Sequence, residues 1–453
     1  MAGNLEGFQR ESLRAHAFSY FWLNIKMKVY IEWHGCSASR RDAEIIAGII
    51  SKKVDLVKNP DLADVIILNT CIVKKPTEQK MIKRIGYFSS LGKKLIITGC
   101  MPEVLSGMIE KINKNASMLS TNMISHIESV FERTIIGQKV KLIGKKEVKT
   151  CLPKKRLNPV IDVIEIASGC NHNCSYCITK LVKGHIIPYP KEMIIEELKT
   201  GLKEGCKEFW ITAQDVAAYP NLPGLIEEIT NIDGDFFVRL GMMNPANLLP
   251  IAKELVRAYK SPRLFKFLHL PLQSGSDTIL ESMNRGYHAR DFLKIVRTFR
   301  NTLDELTLWT DVIIGYPGES EDDFEKTIKI VKKVKPDFVN ISKFGKRPGT
   351  KAFSLKELPK NIVNERCKIA VEICKKMAEE ANKKWIGKHC EILIDEWNDK
   401  MRNWIGRNHA YKPVVLKGDF NLGEKVYVEI NRSSQTCLFG NILNYRINNQ
   451  MPE

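Results

Sequence analysis

The chain has 453 residues, of which 44% are hydrophobic and 27% charged, the balance of a globular protein with two or three domains rather than a disordered or fibrous one. No apolar run is long enough to cross a bilayer, and twelve cysteines without an export signal do not read as a disulfide scaffold, so a cytoplasmic protein with no membrane partner is expected. A formal net charge of +18 calls for a polyanionic partner or surface, although charge alone does not name it.

Residues 1–26 hold a short aromatic patch, Phe18 to Leu23, flanked by Arg10, Arg14 and Lys26. It is too short for a signal-peptide core, and Met27 opens the first clear strand, so this stretch reads as an extension with no expected structure. Residues 27–136 then alternate strand and helix. Lys28–Trp33 is strand-like, Arg41–Lys52 is helical with Ser39 as a candidate cap, and Asp64–Asn69 is a buried strand. Pro76–Leu91 is a helix opening on proline, and Lys94–Thr98 is another buried strand. This order predicts an α/β layer on a parallel sheet. A cysteine follows each strand: Cys36, Cys71 and Cys100. Loops beyond the carboxyl ends of parallel strands lie side by side, so three cysteines distant in sequence are expected to converge on one metallocluster. The region is also the most basic, with roughly 24 Lys and Arg against about 12 Asp and Glu over residues 27–157.

Residues 137–159 read as a linker with basic runs at Lys145-Lys146 and Lys154-Lys155-Arg156, expected to be solvated. Six strand candidates follow between helices: Ile161–Ala167, Glu208–Ala213, Phe236–Leu240, Leu264–His269, Leu306–Ile314 and Phe338–Ser342. Six β/α units predict an open, incomplete parallel barrel over residues 160–386, closed by a helix near Lys360 to Lys384, with its chemistry at the carboxyl ends of the strands. At the end of the first strand stands Cys170-Asn-His-Asn-Cys174-Ser-Tyr-Cys177. Three thiolates at CxxxCxxC spacing can hold an iron–sulfur cube while leaving one iron open to a substrate or cofactor. A closed zinc site wants four ligands, usually as two CxxC pairs, and no second pair follows. Gln214 and His269 with Gln273 close the second and fourth strands and are candidate cofactor-binding groups; Gln214 equally suits a loop cap. Residues 387–446 turn to short strands such as Cys390–Ile394, Val414–Leu416 and Lys425–Ile430 with glycines between them, a small β-barrel of oligonucleotide-binding type. Residues 387–453 are nearly neutral, with about 9 basic and about 8 acidic residues.

Several motifs stand in one order: Asn69-Thr-Cys71-Ile-Val, Gly99-Cys100, the CxxxCxxC run, Thr212-Ala-Gln-Asp-Val-Ala-Ala-Tyr219, His269-Leu-Pro-Leu-Gln-Ser-Gly-Ser276, Asp311-Val-Ile-Ile-Gly-Tyr-Pro-Gly-Glu319 and Arg347-Pro-Gly-Thr350. Together they resemble the methylthiotransferases, a family of radical S-adenosylmethionine enzymes with a three-cysteine N-terminal domain, a partial barrel and a TRAM barrel. The resemblance implies two [4Fe-4S] clusters. Cys170, Cys174 and Cys177 would hold the one that binds and cleaves S-adenosylmethionine to a deoxyadenosyl radical, and Cys36, Cys71 and Cys100 the auxiliary one that carries sulfur. It implies tRNA, an electron donor and a sulfur source as partners. Asn69-Thr-Cys-Ile-Val-Lys-Lys-Pro-Thr-Glu78, with Thr179-Lys180, is similar to the archaeal and eukaryotic branch acting on threonylcarbamoyladenosine beside the tRNA anticodon. Other branches act on isopentenyladenosine or on a ribosomal-protein aspartate, and a reading from another class is a non-catalytic iron–sulfur RNA-binding protein. His34 departs from the family, which usually has Tyr, Phe or Trp there.

Overall fold

A computed structural model of the chain describes residues 26–443, so the expected extension lies, but for its last residue, outside the described residues, as do the last residues of the barrel expected to 446. The chain divides into two compact units. One runs to Ile72 and continues over Pro76–Lys155; the other comprises Val73–Lys75 and everything from Arg156 onward.

In the first unit β1 (Met27–Trp33), β2 (Val54–Leu56), β3 (Val65–Thr70), β4 (Lys94–Gly99), β5 (Ser117–Ser120) and β6 (Lys141–Leu142) form one parallel sheet in the order β2-β1-β3-β4-β5-β6. Every residue of β3 is buried, as a strand covered on both faces requires. Its Val65 and Ile67 side chains join Ile45 and Ile46 of the helix Ser37–Ile50 and Phe131 of the helix Ile127–Ile135 in one core. Two expectations fail here. Ser39 does not cap the first helix, which begins at Ser37. Its hydroxyl donates to the His34 carbonyl at 2.7 Å, and the Asn69 amide donates to the Ser39 carbonyl at 2.7 Å, so this serine braces the loop instead. Nor is the basic linker solvated throughout. Lys141–Leu142 pairs with β5, and Lys149 is 1% exposed, its ammonium 2.8 Å from Asp42 while Arg41 donates to its carbonyl. The first helix turns Arg41 and Asp42 inward, and buried charges must find partners.

In the second unit β7 (Ile161–Glu165), β8 (Ala167–Ser168), β9 (Ile187–Pro188), β10 (Glu208–Thr212), β11 (Phe237–Leu240), β12 (Phe267–His269), β13 (Thr307–Ile314) and β14 (Phe338–Lys343) follow one another with helices between. β7, β10 and β11 are parallel neighbours, β12, β13 and β14 likewise, and a parallel bridge from Val238 to Leu264 joins the two sets. This is the open six-stranded barrel that the sequence predicts. Side chains alternate across it with period two. Phe209, Ile211, Val238, Leu268, Leu308 and Val312 enter the main core under the helices. Their neighbours Trp210, Arg239, His269, Trp309 and Asp311 stay only partly buried along the inner face.

The helix Lys360–Lys383 leads to a closed barrel of β15 (His389–Asn398), β16 (Asn403–Asn408), β17 (Pro413–Leu416), β18 (Lys425–Ser433) and β19 (Leu438–Ile442), in the order β15-β16-β17-β19-β18. β16 and β19 escape sequence reading because polar residues and glycines interrupt their alternation. This barrel packs on the open one through Tyr411, whose ring lies 4.8 Å from Phe265 and 5.1 Å from Phe267. The Arg239 guanidinium stacks over Trp210, Phe267 and Tyr411, and Lys412 binds Asp337 at 2.6 Å. No helix among the described residues is long and apolar enough to cross a membrane.

Candidate functional site

Cys36 follows β1, Cys71 follows β3 and Cys100 follows β4, and these strands are immediate neighbours in the sheet. The three cysteines therefore stand after the carboxyl ends of three neighbouring parallel strands. Local bonds tighten the group: the Cys100 N–H donates to Thr70 at 2.9 Å and the His34 N–H to Asn69 at 3.1 Å. Gly35, with φ +126°, makes the closest approach possible, since a Cβ there would stand 2.7 Å from the Cys71 Cβ and 3.1 Å from its sulfur. Cys36 and Cys100 occupy the N-cap positions of the helices Ser37–Ile50 and Met101–Ile112. Beside them Glu32 gathers His34 at 2.7 Å, Arg84 at 2.7 Å and Tyr30 at 3.0 Å. Burial opposes the Glu32 charge, but the hydrogen bonds outweigh it and hold its carboxyl below the usual range.

The second triplet lies on the loop beyond β8, in the other unit. Neighbouring groups fix this loop along its length. The Gly169 N–H donates to Gln214 Oε1 at 2.6 Å and the Cys170 N–H to Gly184 at 2.9 Å. The Ser175 N–H reaches Met283 at 3.0 Å and the Asn284 amide reaches Asn173 at 2.9 Å. His172 sits among Asp215 at 3.2 Å and Asn247 at 2.9 Å. Arg285, only 6% exposed, donates to the Cys174 sulfur at 3.1 Å and to Tyr176 at 3.3 Å. Burial pushes the Cys170 thiol up to about 11, so it is protonated at neutral pH unless iron displaces the proton. Burial also raises Cys174, against the pull of the Arg285 charge.

Of the three weaker candidates, Gln214 is the loop anchor just described. His269 closes β12 and contacts Asp311 Oδ2 at 2.7 Å, while the Asn340 amide donates to Asp311 Oδ1 at 2.6 Å. Burial opposes the Asp311 charge, yet these bonds hold its carboxyl below the usual range. Gln273 has φ +63°, its N–H donates to the backbone carbonyl of Asp311 at 2.8 Å, and its buried Oε1 has no partner among the described residues. An orphaned, buried acceptor on a strained backbone, at the strand ends of an open barrel, suits a bound donor. Sequence reasoning missed Arg285, His172, Asp215, Asn247, Asp311 and Asn340 as site residues. The half-buried alternate positions of β13 could be found from period-two patterning; Arg285 could not.

Both donor sets fit an iron–sulfur cluster chemically, with three cysteines each. Among the described residues no three Cys, His, Asp or Glu side chains gather closely enough to chelate a single metal ion.

The Radical SAM superfamily model matches residues 164–331, the uncharacterized protein family UPF0004 residues 28–120, and the TRAM domain residues 383–443. The chain is 38% identical over 427 residues to the probable threonylcarbamoyladenosine tRNA methylthiotransferase of Pyrococcus horikoshii, covering 92% of this chain and 100% of that one. It is 31% identical to the threonylcarbamoyladenosine tRNA methylthiotransferase of Homo sapiens, covering 91% and 73% respectively. Among solved structures, the radical S-adenosylmethionine methyltransferase TsrM from Kitasatospora setae, with tryptophan and an S-adenosylmethionine analogue bound, superposes with a TM-score of 0.55 at 11% identity, covering 73% of this chain and 75% of that one. That likeness is one of fold.

Proposed function

This chain belongs to the threonylcarbamoyladenosine tRNA methylthiotransferases, and from that premise we propose that it adds a methylthio group to C2 of threonylcarbamoyladenosine beside the anticodon of tRNA, with S-adenosylmethionine as methyl donor and radical source. The observation that carries the reading is the pair of cysteine triplets, Cys36, Cys71 and Cys100 after three neighbouring parallel strands of the first unit and Cys170, Cys174 and Cys177 on the single loop that follows β7 and β8 in the second. When bound, two [4Fe-4S] clusters and S-adenosylmethionine supply one-electron chemistry at a C–H bond that no side-chain base can deprotonate.

The chain's own residues bind, orient and shield. Cys170, Cys174 and Cys177 hold one cluster, with the Arg285 guanidinium on Cys174 and Gln214 fixing the loop. Cys36, Cys71 and Cys100 hold the other. Gln273 Oε1 offers an acceptor to the amino groups of S-adenosylmethionine, and His269, braced by Asp311, lines the inner face next to it. The terminal barrel and the basic first unit bind RNA, largely through phosphates. An electron donor and a sulfur source complete the partners. We place the enzyme in the cytoplasm; none of its twelve cysteines forms a disulfide, which suits a reducing compartment.

Mass spectrometry of tRNA nucleosides from cells with and without the protein tests the reading. The methylthio form of threonylcarbamoyladenosine should vanish without it. Unchanged levels of that nucleoside, together with loss of a methylthio isopentenyladenosine, would move the chain to another branch.

A further inference from the structure

We propose that Lys74 binds the carboxylate of the substrate's threonylcarbamoyl group; the proposal rests on the substrate reading above. Val73–Lys75 groups with the second unit, although the chain on either side belongs to the first. The segment lies against the exit of β14: a Cβ on Gly345 would stand 3.4 Å from the Lys75 Cβ. There the Lys74 ammonium donates to Asn340 Oδ1 at 3.2 Å.

What holds this cation in place is a chain of bonds rooted inside the barrel. Asp311 has both oxygens engaged, one by His269 and one by the Asn340 amide. With its NH2 committed to Asp311, Asn340 can present only its carbonyl oxygen to Lys74. His269, Asp311 and Asn340 occupy the inner face, so Lys74 continues a polar track that begins where the reacting base must lie. An ammonium has three protons to donate, and this one spends one on Asn340. It makes no ion pair with a carboxylate among the described residues, while its charge still reaches Asp311 as a minor influence.

A nucleotide whose base is to be modified at C2 must leave the stack and enter the barrel, leaving its phosphates at the mouth. The substituent on the base is then the part that meets the inner track. A threonylcarbamoyl group brings a carboxylate, which gives Lys74 a charge-assisted partner. An isopentenyl group brings only hydrocarbon and would leave the ammonium and the polar track desolvated without partners, a strong basis for rejection.

The test uses reconstituted full-length enzyme and three anticodon stem-loop RNAs, carrying threonylcarbamoyladenosine, its threoninamide analogue or unmodified adenosine, with affinities read by fluorescence anisotropy. The wild type should prefer the carboxylate RNA over the amide by about tenfold. Lys74→Met should bind those two equally, with iron content unchanged, and Lys74→Arg should keep the preference. Lys80→Met, at an exposed position on the following helix, should weaken all three alike. The proposal is overturned if Lys74→Met keeps the preference or weakens all three RNAs alike, the behaviour of a phosphate contact. It is also overturned, with the substrate reading left standing, if the wild type binds carboxylate and amide equally but both better than unmodified RNA. A wild type that binds unmodified RNA as tightly as the threonylcarbamoyl RNA rejects the substrate reading itself.

Discussion

Gly169→Ala is the sharpest test of how the CxxxCxxC loop is built. Gly169 has φ +90°, and a Cβ there would stand 2.0 Å from the His185 carbonyl oxygen and 2.6 Å from its carbon. Those are backbone atoms, so the strand at Ile187–Pro188 or the cysteine loop must move by more than an ångström. Such a shift breaks the Gly169 N–H bond to Gln214 and the Cys170 N–H bond to Gly184. Two lost hydrogen bonds cost about 1 kcal/mol each, and an alanine in this conformation adds about 1–2 kcal/mol. The sum, about 3–4 kcal/mol, depopulates the closed loop by two to three orders of magnitude at about 1.4 kcal/mol per decade. Anaerobically reconstituted Gly169→Ala should lose about four of about eight irons and cleave no S-adenosylmethionine, with its circular dichroism spectrum intact. Gly205→Ala is the control, since Gly205 has φ +92° but no atom within 4 Å of its Cβ. It bears the strain without the clash and should keep its iron. Full iron in Gly169→Ala, or equal iron loss in both variants, would refute the reasoning.

Replacing Cys170, Cys174 and Cys177 together by Ala should remove about half the iron and all S-adenosylmethionine cleavage. The Cys36, Cys71 and Cys100 triple variant should keep cleavage yet transfer no methylthio group; loss of all iron in either variant rejects two independent sites. Glu32→Gln should destabilise the first unit by about 1 kcal/mol at neutral pH. Because the folded carboxyl titrates below its unfolded value, this stabilisation is present above about pH 4 and fades as pH falls through the folded value. A stability gap in urea that stays constant from neutral to acid pH would show that Glu32 is not acting through its charge.

The cysteines were legible because the argument needed only topology: a thiol at the end of each of three strands, and a parallel sheet that makes them neighbours. The strands of the open barrel were legible because each is an apolar run between turn signals. Sequence cannot show which way a side chain is recruited across the fold. Arg285 is more than a hundred residues from the Cys174 sulfur it touches, and in sequence it is one basic residue among many. Lys149 lies within the linker expected to be solvated, and its partner, Asp42, is equally remote in sequence. Ser39 failed as a cap because the loop ahead of it offered competing hydrogen bonds that no propensity scale counts.

The aromatic seam around Tyr411 bears on how the second unit can be taken apart. Phe265 and Phe267 belong to the open barrel, yet their cover is a side chain of the terminal one. The Lys266 N–H closes on the His409 carbonyl at 2.8 Å, tying a strand of one barrel to a turn of the other. The tail is therefore not a detachable adaptor. Cut away at Lys384, it would leave the remaining protein with an apolar, aggregation-prone floor at Phe265 and Phe267. The two barrels should melt in a single transition, and a hybrid that borrows a foreign tail would have to import the matching floor residues with it.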